Sequence, residues 1–302
     1  MKAIVISKYG GPEVMEYKDL PDPSPGPDEV LVQVAATSIN PFDVKQRSGQ
    51  TKAFAPVSFP GILGIDISGT VIRLGSGVKG FSEGDRVFGM ADHTYAEKCV
   101  VKAAYLAKIP ASLDTVDAAA LPLVTTTGYQ LVKDGAPVRK KQTLLITGAL
   151  GSVGRSAVFT AKSLGAIVIA GVRKKHVEEA VALGADSVVA IDDPAAISSL
   201  APLDAVADTV DGATAESLIA RVKSGGIFAS VLGPPKNSAK FPAIKVVPVV
   251  AHADVQALIQ MANAVVQGDL DIPIASKMPL KEAVDAQALV EKGVSGKVLL
   301  VP

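Results

Sequence analysis

The feature that most constrains the fold is a run of three glycines between an apolar segment and an amphipathic one. In TLLITGALGSVGRSAVFTAKSLGA, the apolar run leads into Gly148, Gly151 and Gly154, and a helical pattern begins at once. A strand, turn and helix in this order place backbone amides, including those of Ser152 and Val153, where they can bind a pyrophosphate. The spacing is G-x-x-G-x-x-G rather than G-x-G-x-x-G, so the prediction depends on this context. A purely structural glycine turn is the alternative.

Downstream of the turn, short apolar runs alternate with amphipathic ones. Strands are predicted at TLLITG, AIVIAGV, SVVAID, AVADTV and GIFASVLG, and helices at SVGRSAVFTAKSLG, KHVEEAVALGA and TAESLIARVKSG. A further helical pattern, TVDAAALPLVTTTGYQLV, precedes them. Apolar strands that alternate with helices predict a parallel sheet covered on both faces. We therefore expect an α/β fold with a doubly wound, parallel-sheet Rossmann domain over residues 121–250.

The chain before this domain is rich in short strands. The runs KAIVIS, EVLVQVAATSI, GTVIRLG and DRVFGM are dense in Val and Ile, and turn clusters separate them. This spacing predicts a compact, barrel-like β domain that extends to about Pro110. The chain after residue 250 contains two helical patterns and the strand-like VSGKVLLVP. Because a single last strand cannot stand alone, we expect residues 251–302 to complete a first domain formed by residues 1–120.

The end of the second strand in the parallel-sheet domain indicates which dinucleotide binds. An NAD-binding domain carries an acidic residue there, roughly 20 residues beyond the turn, to accept from the ribose hydroxyls. This chain has Arg173 and Lys174 at that place, and no carboxylate before Glu178. Cations at a helix start favour a bound anion, so we predict that the 2′-phosphate of NADPH binds here. The alternative is a solvated helix start with no ligand.

Charge and cysteine content argue against several classes of function. The 302 residues include 30 Lys+Arg and 30 Asp+Glu, so no net basic field exists to hold nucleic acid. No apolar stretch reaches the roughly 18 residues that a membrane span needs. Cys99 is the only cysteine, which excludes an intrachain disulfide, and we expect it to be buried as a small hydrophobe. A cytoplasmic protein without nucleic-acid or membrane partners is therefore expected.

Segments along nearly the whole chain resemble one superfamily. They include MKAIVISKYGGPEV, SINPFDVKQRSG, FPGILGIDISGTV, TYAEKCVV, AALPLVTTTGYQLV, LLITGALGSVG, SGGIFASVLG and SGKVLLVP. In this order they resemble the medium-chain dehydrogenase/reductase superfamily, and within it the zinc-free quinone oxidoreductase and enone reductase branch. The resemblance implies a GroES-like β-barrel catalytic domain built from both chain ends, a central Rossmann domain and a cleft for the nicotinamide. It also implies a homodimer, joined at an edge of the Rossmann sheet.

The sequence departs from the metal-dependent members of that superfamily at their ligand positions. Where those members have a catalytic Cys and a Gly-His-Glu run, this chain has Ser38 and Gly64-Ile65-Asp66. A four-cysteine structural site is impossible with one cysteine, and the three histidines lie in unrelated contexts. We therefore expect no metal. The acceptors that remain are already electrophilic, namely a quinone or an α,β-unsaturated carbonyl that takes hydride from NADPH.

Two other functions stay open on the same scaffold. A reductase of acyl-thioester double bonds would keep every cofactor feature and differ only in the volume of its cleft. A non-catalytic redox sensor would bind NADPH without turnover. The expected partner is in any case a small molecule, a quinone or an enone for the function that we predict.

The resemblance implies three catalytic candidates in the first domain. Asn40 stands where zinc-free relatives have a cleft asparagine, which could donate to the substrate oxygen or to the cofactor ribose; Asn-Pro is also a common turn opener. Lys45 could polarise a carbonyl, although an exposed helix lysine looks the same in sequence. Asp66 replaces the acidic residue beside the lost zinc and could orient a neighbouring side chain. A structural salt bridge is its alternative role.

Four further residues are predicted to contact the cofactor. Thr126 and Thr127 match the family's contact with the nicotinamide, although a threonine near a helix start also bonds to its own backbone. Gly212 and Gly233 follow successive strands at the carboxyl edge of the sheet, where the nicotinamide ribose would pass. Otherwise they are ordinary turn glycines.

Overall fold

The computed structural model describes residues 1–302 and contains sixteen β-strands and eight α-helices. The strands are β1 (Lys2–Ile6), β2 (Met15–Asp19), β3 (Glu29–Ile39), β4 (Gly61–Ile62), β5 (Asp66–Leu74), β6 (Arg86–Met90), β7 (Lys98–Lys102), β8 (Leu106–Lys108), β9 (Thr143–Thr147), β10 (Ile167–Val172), β11 (Ser187–Ala190), β12 (Leu203–Asp208), β13 (Val222–Ser230), β14 (Lys245–Pro248), β15 (Ile274–Pro279) and β16 (Lys297–Val301). The helices are α1 (Pro41–Ser48), α2 (Pro122–Gln130), α3 (Ser152–Ser163), α4 (Val177–Ala180), α5 (Pro194–Ser198), α6 (Gly212–Ile219), α7 (Val255–Gln267) and α8 (Ala283–Glu291).

The chain divides into two compact units. Unit 1 comprises residues 1–123, 253–268 and 272–302, and unit 2 comprises residues 124–252 and 269–271. Unit 1 therefore contains both ends of the chain. The boundaries drawn from the sequence, 120/121 and 250/251, differ from these divisions by three residues and two residues.

Unit 1 is built from two sheets. The larger has seven strands, in the order β15-β16-β3-β5-β6-β8 with β7 also paired to β3, and the smaller has the order β2-β1-β4. Val30, Val32 and Val34 of β3 are buried together with Ile67 of β5 and Val87 of β6. The density of Val and Ile that predicted this strand thus supplies the core of the sheet. β16 pairs with β3, so the C-terminal strand completes the sheet that the N-terminal half begins.

Unit 2 contains one parallel sheet of six strands, in the order β11-β10-β9-β12-β13-β14. This order, which reverses at β9, is that of the doubly wound fold, so the predicted α/β class is confirmed. The two faces of β9 show why helices cover both sides. Leu144 and Ile146 pack with Ala157 of α3, whereas Leu145 points to the other face and packs with Leu218 of α6.

Three helices are shorter than their sequence patterns predicted. In KHVEEAVALGA only Val177–Ala180 is α-helical, between 3-10 turns at Lys174–His176 and Val181–Leu183. The helix expected from near Asp114 is interrupted, because only a short 3-10 turn covers Asp117–Ala120 and α2 begins at Pro122. Proline has no N–H to donate and therefore begins a helix rather than continuing one. Similarly, α6 ends at Ile219, because from Val222 onward the chain pairs as β13 with β12.

Cys99 is buried on β7, as predicted, and burial raises the pKa of its thiol to about 12. Such a thiol stays protonated and unreactive near neutral pH. The structure has no helix with the length and apolar character that crossing a membrane requires.

Candidate functional site

The glycine turn of unit 2 connects β9 to α3. Gly148 has φ +60°, and a Cβ at this position would lie 2.4 Å from Thr209 Oγ1. A Cβ on Gly154 would lie 2.2 Å from the carbonyl oxygen of Gly148, a backbone atom that cannot move aside. Both positions therefore require glycine. Ala149 N donates to Gly171 O at 3.2 Å and ties the turn to β10.

The first turn of α3 presents unpaired backbone donors. Its N-cap residue, Gly151, has no side chain to cap the helix, and the first amide bonded back to it is Arg155 N, at 2.8 Å from Gly151 O. The N–H groups of Ser152, Val153 and Gly154 consequently lack partners within the helix. Three free donors at the positive end of a helix dipole suit the pyrophosphate of a dinucleotide. The residues present thus fit the pyrophosphate of a dinucleotide, as the sequence predicted.

Asp208, the last residue of β12, connects three strand ends at the carboxyl edge of the sheet. Its Oδ1 accepts from Thr147 Oγ1 on β9 at 2.8 Å, and its Oδ2 accepts from Ser230 Oγ on β13 at 2.9 Å. The backbone N–H groups of Val210 and Asp211 also donate to this carboxylate, at 3.2–3.4 Å. Asp208 is completely buried. Its hydrogen bonds hold the loop after β12 beside the start of the glycine turn. Sequence reasoning did not single out this residue.

Arg173 follows β10, the strand next to β9. Gly171 pairs with Thr147, so Arg173 and the glycine turn leave the sheet at the same edge. The Arg173 side chain is exposed and forms no ion pair, whereas Lys174 Nζ lies 3.7 Å from Asp193 Oδ2. An unpaired guanidinium at this edge is available to an anion.

Thr126 and Thr127 are both buried on α2. The next residue, Gly128, lies against the start of α3, since a Cβ there would be 2.5 Å from Val153 O. This close approach packs the segment that follows the two threonines directly against the first turn of α3. The assignment of Thr126 and Thr127 to the cofactor stays a prediction.

Gly212 and Gly233 leave the same sheet edge as the glycine turn. Gly212 begins α6 with φ +66°, and Gly233 follows β13 with φ +103°. Nothing lies within 4 Å of a Cβ added at either position, so backbone conformation, rather than lack of space, is what requires glycine.

Unit 1 contains a buried polar cluster around Asp66, the first residue of β5. Asp66 Oδ2 accepts from Ser38 Oγ and from Asn40 Nδ2, the latter at 2.8 Å. Asp66 Oδ1 accepts from Leu123 N at 2.7 Å, in the first turn of α2. The carboxylate thus orients two polar side chains and also accepts from a backbone N–H at the positive, N-terminal end of α2.

A lysine from the C-terminal strand belongs to the same cluster. Lys297 Nζ donates to Asn40 Oδ1 at 2.6 Å and to Ile39 O at 3.2 Å, and it lies 3.7 Å from Asp66 Oδ2. Burial lowers the pKa of Lys297, and the carboxylates of Asp66 and Asp43 oppose that effect. No local sequence pattern marks this residue, because a lysine that opens an apolar strand usually lies at an exposed strand end.

A second buried carboxyl, Asp43 of α1, adjoins the cluster. Its Oδ2 accepts from Asn40 N at 2.9 Å and from Tyr95 Oη at 3.0 Å. Burial raises the pKa of Asp43 to about 7, and the neighbouring Asp66 carboxylate adds to the rise. Unit 1 therefore buries two carboxyls and one ammonium in one polar network.

The positions of the lost zinc ligands do not suit a metal ion. The Ser38 hydroxyl donates to Asp66, Ile65 has no donor atom, and Asp66 lies beside the Lys297 ammonium. No group of three or more His, Cys, Asp or Glu side chains is arranged to hold a metal. Lys45 lies half-buried on α1 and forms no hydrogen bond or ion pair with this cluster.

Comparison with known proteins places these features in a family. Residues 26–111 match the family "Alcohol dehydrogenase GroES-like domain", and residues 183–300 match "Zinc-binding dehydrogenase". The chloroplast envelope quinone oxidoreductase homolog of Arabidopsis thaliana is 31% identical over 100% of this chain and 98% of its own length. The chain belongs to the quinone oxidoreductase branch of the medium-chain dehydrogenase/reductase superfamily. The predicted resemblance is confirmed, and with it the GroES-like and Rossmann architecture.

A solved structure and a second relative extend this finding. The structure of the Escherichia coli quinone oxidoreductase complexed with NADPH has a TM-score of 0.88 and 26% identity, with 100% of both chains covered. Acryloyl-coenzyme A reductase of Sulfurisphaera tokodaii is 31% identical over 56% of this chain and 58% of its own length. The protein is accordingly an oxidoreductase of the medium-chain type with a nicotinamide cofactor, and both quinone and enoyl reductases are among its relatives.

Proposed function

We propose that this protein is an NADPH-dependent, zinc-independent oxidoreductase that reduces quinones or α,β-unsaturated carbonyls. The observation that carries the proposal is the unpaired Arg173 at the sheet edge where the glycine turn begins. In this proposal unit 1 corresponds to a catalytic domain of residues 1–120 and 251–302, and unit 2 to an NADPH-binding domain of residues 121–250.

The choice of NADPH over NADH is supported by charge at the end of β10. No acidic side chain follows that strand directly, and Arg173 and Lys174 offer donors to a 2′-phosphate. The backbone of residues 151–154 would hold the pyrophosphate, and Thr126, Thr127, Gly212 and Gly233 would adjoin the nicotinamide half. When bound, reduced nicotinamide supplies a hydride from C4.

On the acceptor side, Asn40 is the proposed donor to the substrate oxygen. One Nδ2 hydrogen is taken by Asp66, whereas the contact of Nδ2 with Ser38 O is long, at 3.4 Å. The second hydrogen is therefore weakly engaged and can be exchanged for a substrate oxygen that gains negative charge as it is reduced. Asp66 orients the amide, and Lys45 is a second candidate for polarising the carbonyl.

Zinc independence is supported by the chemistry of Ser38, Ile65 and Asp66. An ammonium group 3.7 Å from Asp66 Oδ2 repels a divalent cation, and the neighbouring residues lack the N and S ligands that zinc prefers. An acceptor that is already electrophilic needs hydrogen-bond donors rather than a Lewis acid.

A cytoplasmic homodimer is part of the same proposal. β14 is an edge strand that pairs only with β13, and its residues are at most partly buried. A second copy could continue the sheet there. The single, buried cysteine is consistent with a reducing compartment.

A second candidate is reduction of a 2-enoyl thioester, which the match to acryloyl-coenzyme A reductase favours. It would use the same cofactor site and the same donor, because a thioester carbonyl also gains negative charge when hydride adds to the conjugated double bond.

The test follows NADPH oxidation spectrophotometrically with an ortho-quinone, a short enone and a short 2-enoyl thioester. We expect turnover with the quinone or the enone, faster with NADPH than with NADH and unaffected by a metal chelator. Turnover confined to the thioester would transfer the assignment to the second candidate. NADPH binding without turnover of any acceptor would instead identify a redox sensor.

A further inference from the structure

The ammonium of Lys297 is enclosed by unit 1 rather than extended to solvent. The side chain is only 5% exposed, and its three possible donations meet Asn40 Oδ1, Ile39 O and, at a longer distance, Asp66 Oδ2. Lysine is almost never buried without partners of this kind, and its long side chain usually reaches water. The position is therefore built to hold a cation beside Asn40.

The register of two strands places this lysine. In the antiparallel pair of β16 and β3, Val298 lies opposite Ile39 and Leu299 opposite Ser38. The next pair along that register is Lys297 and Asn40, although 257 residues separate them in sequence. Lys297 N also donates to Pro273 O at 2.7 Å, which fixes the start of β16.

The charges around Asn40 determine which way its carboxamide faces. An asparagine amide can turn over and exchange its oxygen and nitrogen at little cost unless its partners discriminate between them. Lys297 can only donate, and the Asp66 carboxylate can only accept. Lys297 therefore donates to Asn40 Oδ1 at 2.6 Å, and Asp66 accepts from Asn40 Nδ2 at 2.8 Å, so only one orientation of the amide satisfies both partners.

We propose that Lys297 is a positioning residue, which together with Asp66 locks the Asn40 carboxamide with Nδ2 toward the acceptor oxygen. This inference rests on the proposed function of Asn40 as the donor. Lys297 is closer to Asn40 Oδ1 than to Asp66 Oδ2, 2.6 Å against 3.7 Å, so its role exceeds neutralising the carboxylate. Asp43 of α1 is the other charged group that acts on Lys297, and Tyr95 Oη donates to its carboxylate at 3.0 Å.

The single variant Lys297→Met would leave Asp66 as an uncompensated buried charge and could fail to fold for that reason alone. The decisive variant is therefore Lys297→Met combined with Asp66→Asn, which is neutral and retains polar atoms near Ser38 and Asn40. Lys297→Arg keeps the cation and its donors. Lys277→Met, on the neighbouring strand β15, removes a partly exposed lysine paired with Asp117 and serves as the matched control.

For the double variant we expect an unchanged Kd for NADPH, and a kcat that falls by about tenfold or more for quinone or enone. Lys297→Arg should recover part of kcat, and Lys277→Met should behave as wild type. A folded double variant with wild-type kcat would overturn the proposal, because Lys297 would then only balance the charge of Asp66.

A second measurement needs no turnover and so separates this inference from the proposed function. The Nδ2 signals of Asn40 in a ¹⁵N-labelled protein can be identified by their loss in Asn40→Ser. We expect one sharp pair of signals in wild type and Lys297→Arg, and doubled or broadened signals in the double variant, because its amide turns over. One sharp, unshifted pair of Nδ2 signals in the double variant would overturn the inference, even if the wild-type protein reduced every acceptor. An inactive wild-type protein would instead refute only the proposed function.

Discussion

Tyr95 Oη donates to Asp43 Oδ2 at 3.0 Å, and both side chains are completely buried. Asp43 Oδ1 has no hydrogen-bond partner, so an ionised carboxylate would leave one oxygen unsolvated. The effect of burial exceeds the opposing effects of the Asn40 and Tyr95 hydrogen bonds and of the Lys297 charge, and it raises the pKa of Asp43 to about 7. Unit 1 thus holds a carboxyl that changes its charge near neutral pH.

The first prediction concerns stability as a function of pH. In the unfolded chain Asp43 loses its proton near its ordinary pKa of 3.8, whereas the folded chain retains it to about 7. Between these values the folded state binds the extra proton, so the contribution of Asp43 to the free energy of unfolding falls as pH rises and is constant above about 7. The total fall is up to about 4 kcal/mol. It can be measured by urea denaturation from about pH 4 to 8.

Asp43→Asn removes this titration, since its amide resembles the protonated acid and its oxygen can accept from Asn40 N and Tyr95 Oη. Relative to wild type, the variant should therefore gain stability as pH rises through that window. Asp85→Asn is the control, because Lys108 and Ser82 lower the pKa of Asp85 and its titration has the opposite sign. Parallel curves for wild type and Asp43→Asn would contradict the prediction.

The second prediction concerns coenzyme choice. Arg173→Asp should weaken NADPH binding by about tenfold to a hundredfold, the value of one or two charge-assisted hydrogen bonds to phosphate. NADH should bind equally well or better, because a carboxylate accepts from a free ribose hydroxyl. Fluorescence titration with both coenzymes measures the ratio. The matched control is Arg139→Asp, an exposed arginine before β9, at the opposite edge of the same sheet. Equal effects of the two variants would place the phosphate elsewhere.

The third prediction compares two glycines of one turn. Gly154→Ala introduces a Cβ 2.2 Å from the backbone oxygen of Gly148, whereas the Cβ of Gly151→Ala would be 3.2 Å from that same atom. Gly154→Ala must therefore displace the turn, and we expect it to weaken coenzyme binding by at least about tenfold, with a smaller effect of Gly151→Ala. Calorimetric titration of the folded variants gives the comparison. A Gly154→Ala protein that binds NADPH as wild type does would contradict the proposal that the backbone of residues 151–154 holds the pyrophosphate.

The elements that sequence reasoning predicted well are those that local pattern determines. β3 and β9 follow from their content of apolar and β-branched residues, and the glycine turn follows from its place between β9 and α3. The C-terminal end of α6 could not be predicted from local pattern in this way. The helical pattern continues past Ile219, but the β-branched Val222 and its pairing with β12 override it.

The site was predicted where one segment carries the chemistry and missed where distant segments combine. Arg173 stands directly after a predicted strand. Lys297 acquires its role only from its register opposite Asn40, and no local pattern encodes a contact across 257 residues. Asp208 had a weak signal, because polar residues also end β9 and β13, at Thr147 and Ser230, and three such ends meet at one edge of a parallel sheet.

The last prediction follows from that junction. Asp208→Ala removes an acceptor shared by Thr147 Oγ1, Ser230 Oγ and backbone N–H groups, all in a completely buried place. Leaving these donors unpaired should lower the free energy of unfolding by about 3 kcal/mol and loosen the loop after β12, which raises the Kd for coenzyme. Asp204→Ala, on the same strand but partly exposed and paired with Lys223, should have a markedly smaller effect on both quantities. Urea denaturation and coenzyme titration of the two variants decide the matter: equal losses would mean that the junction has no special part in supporting the turn.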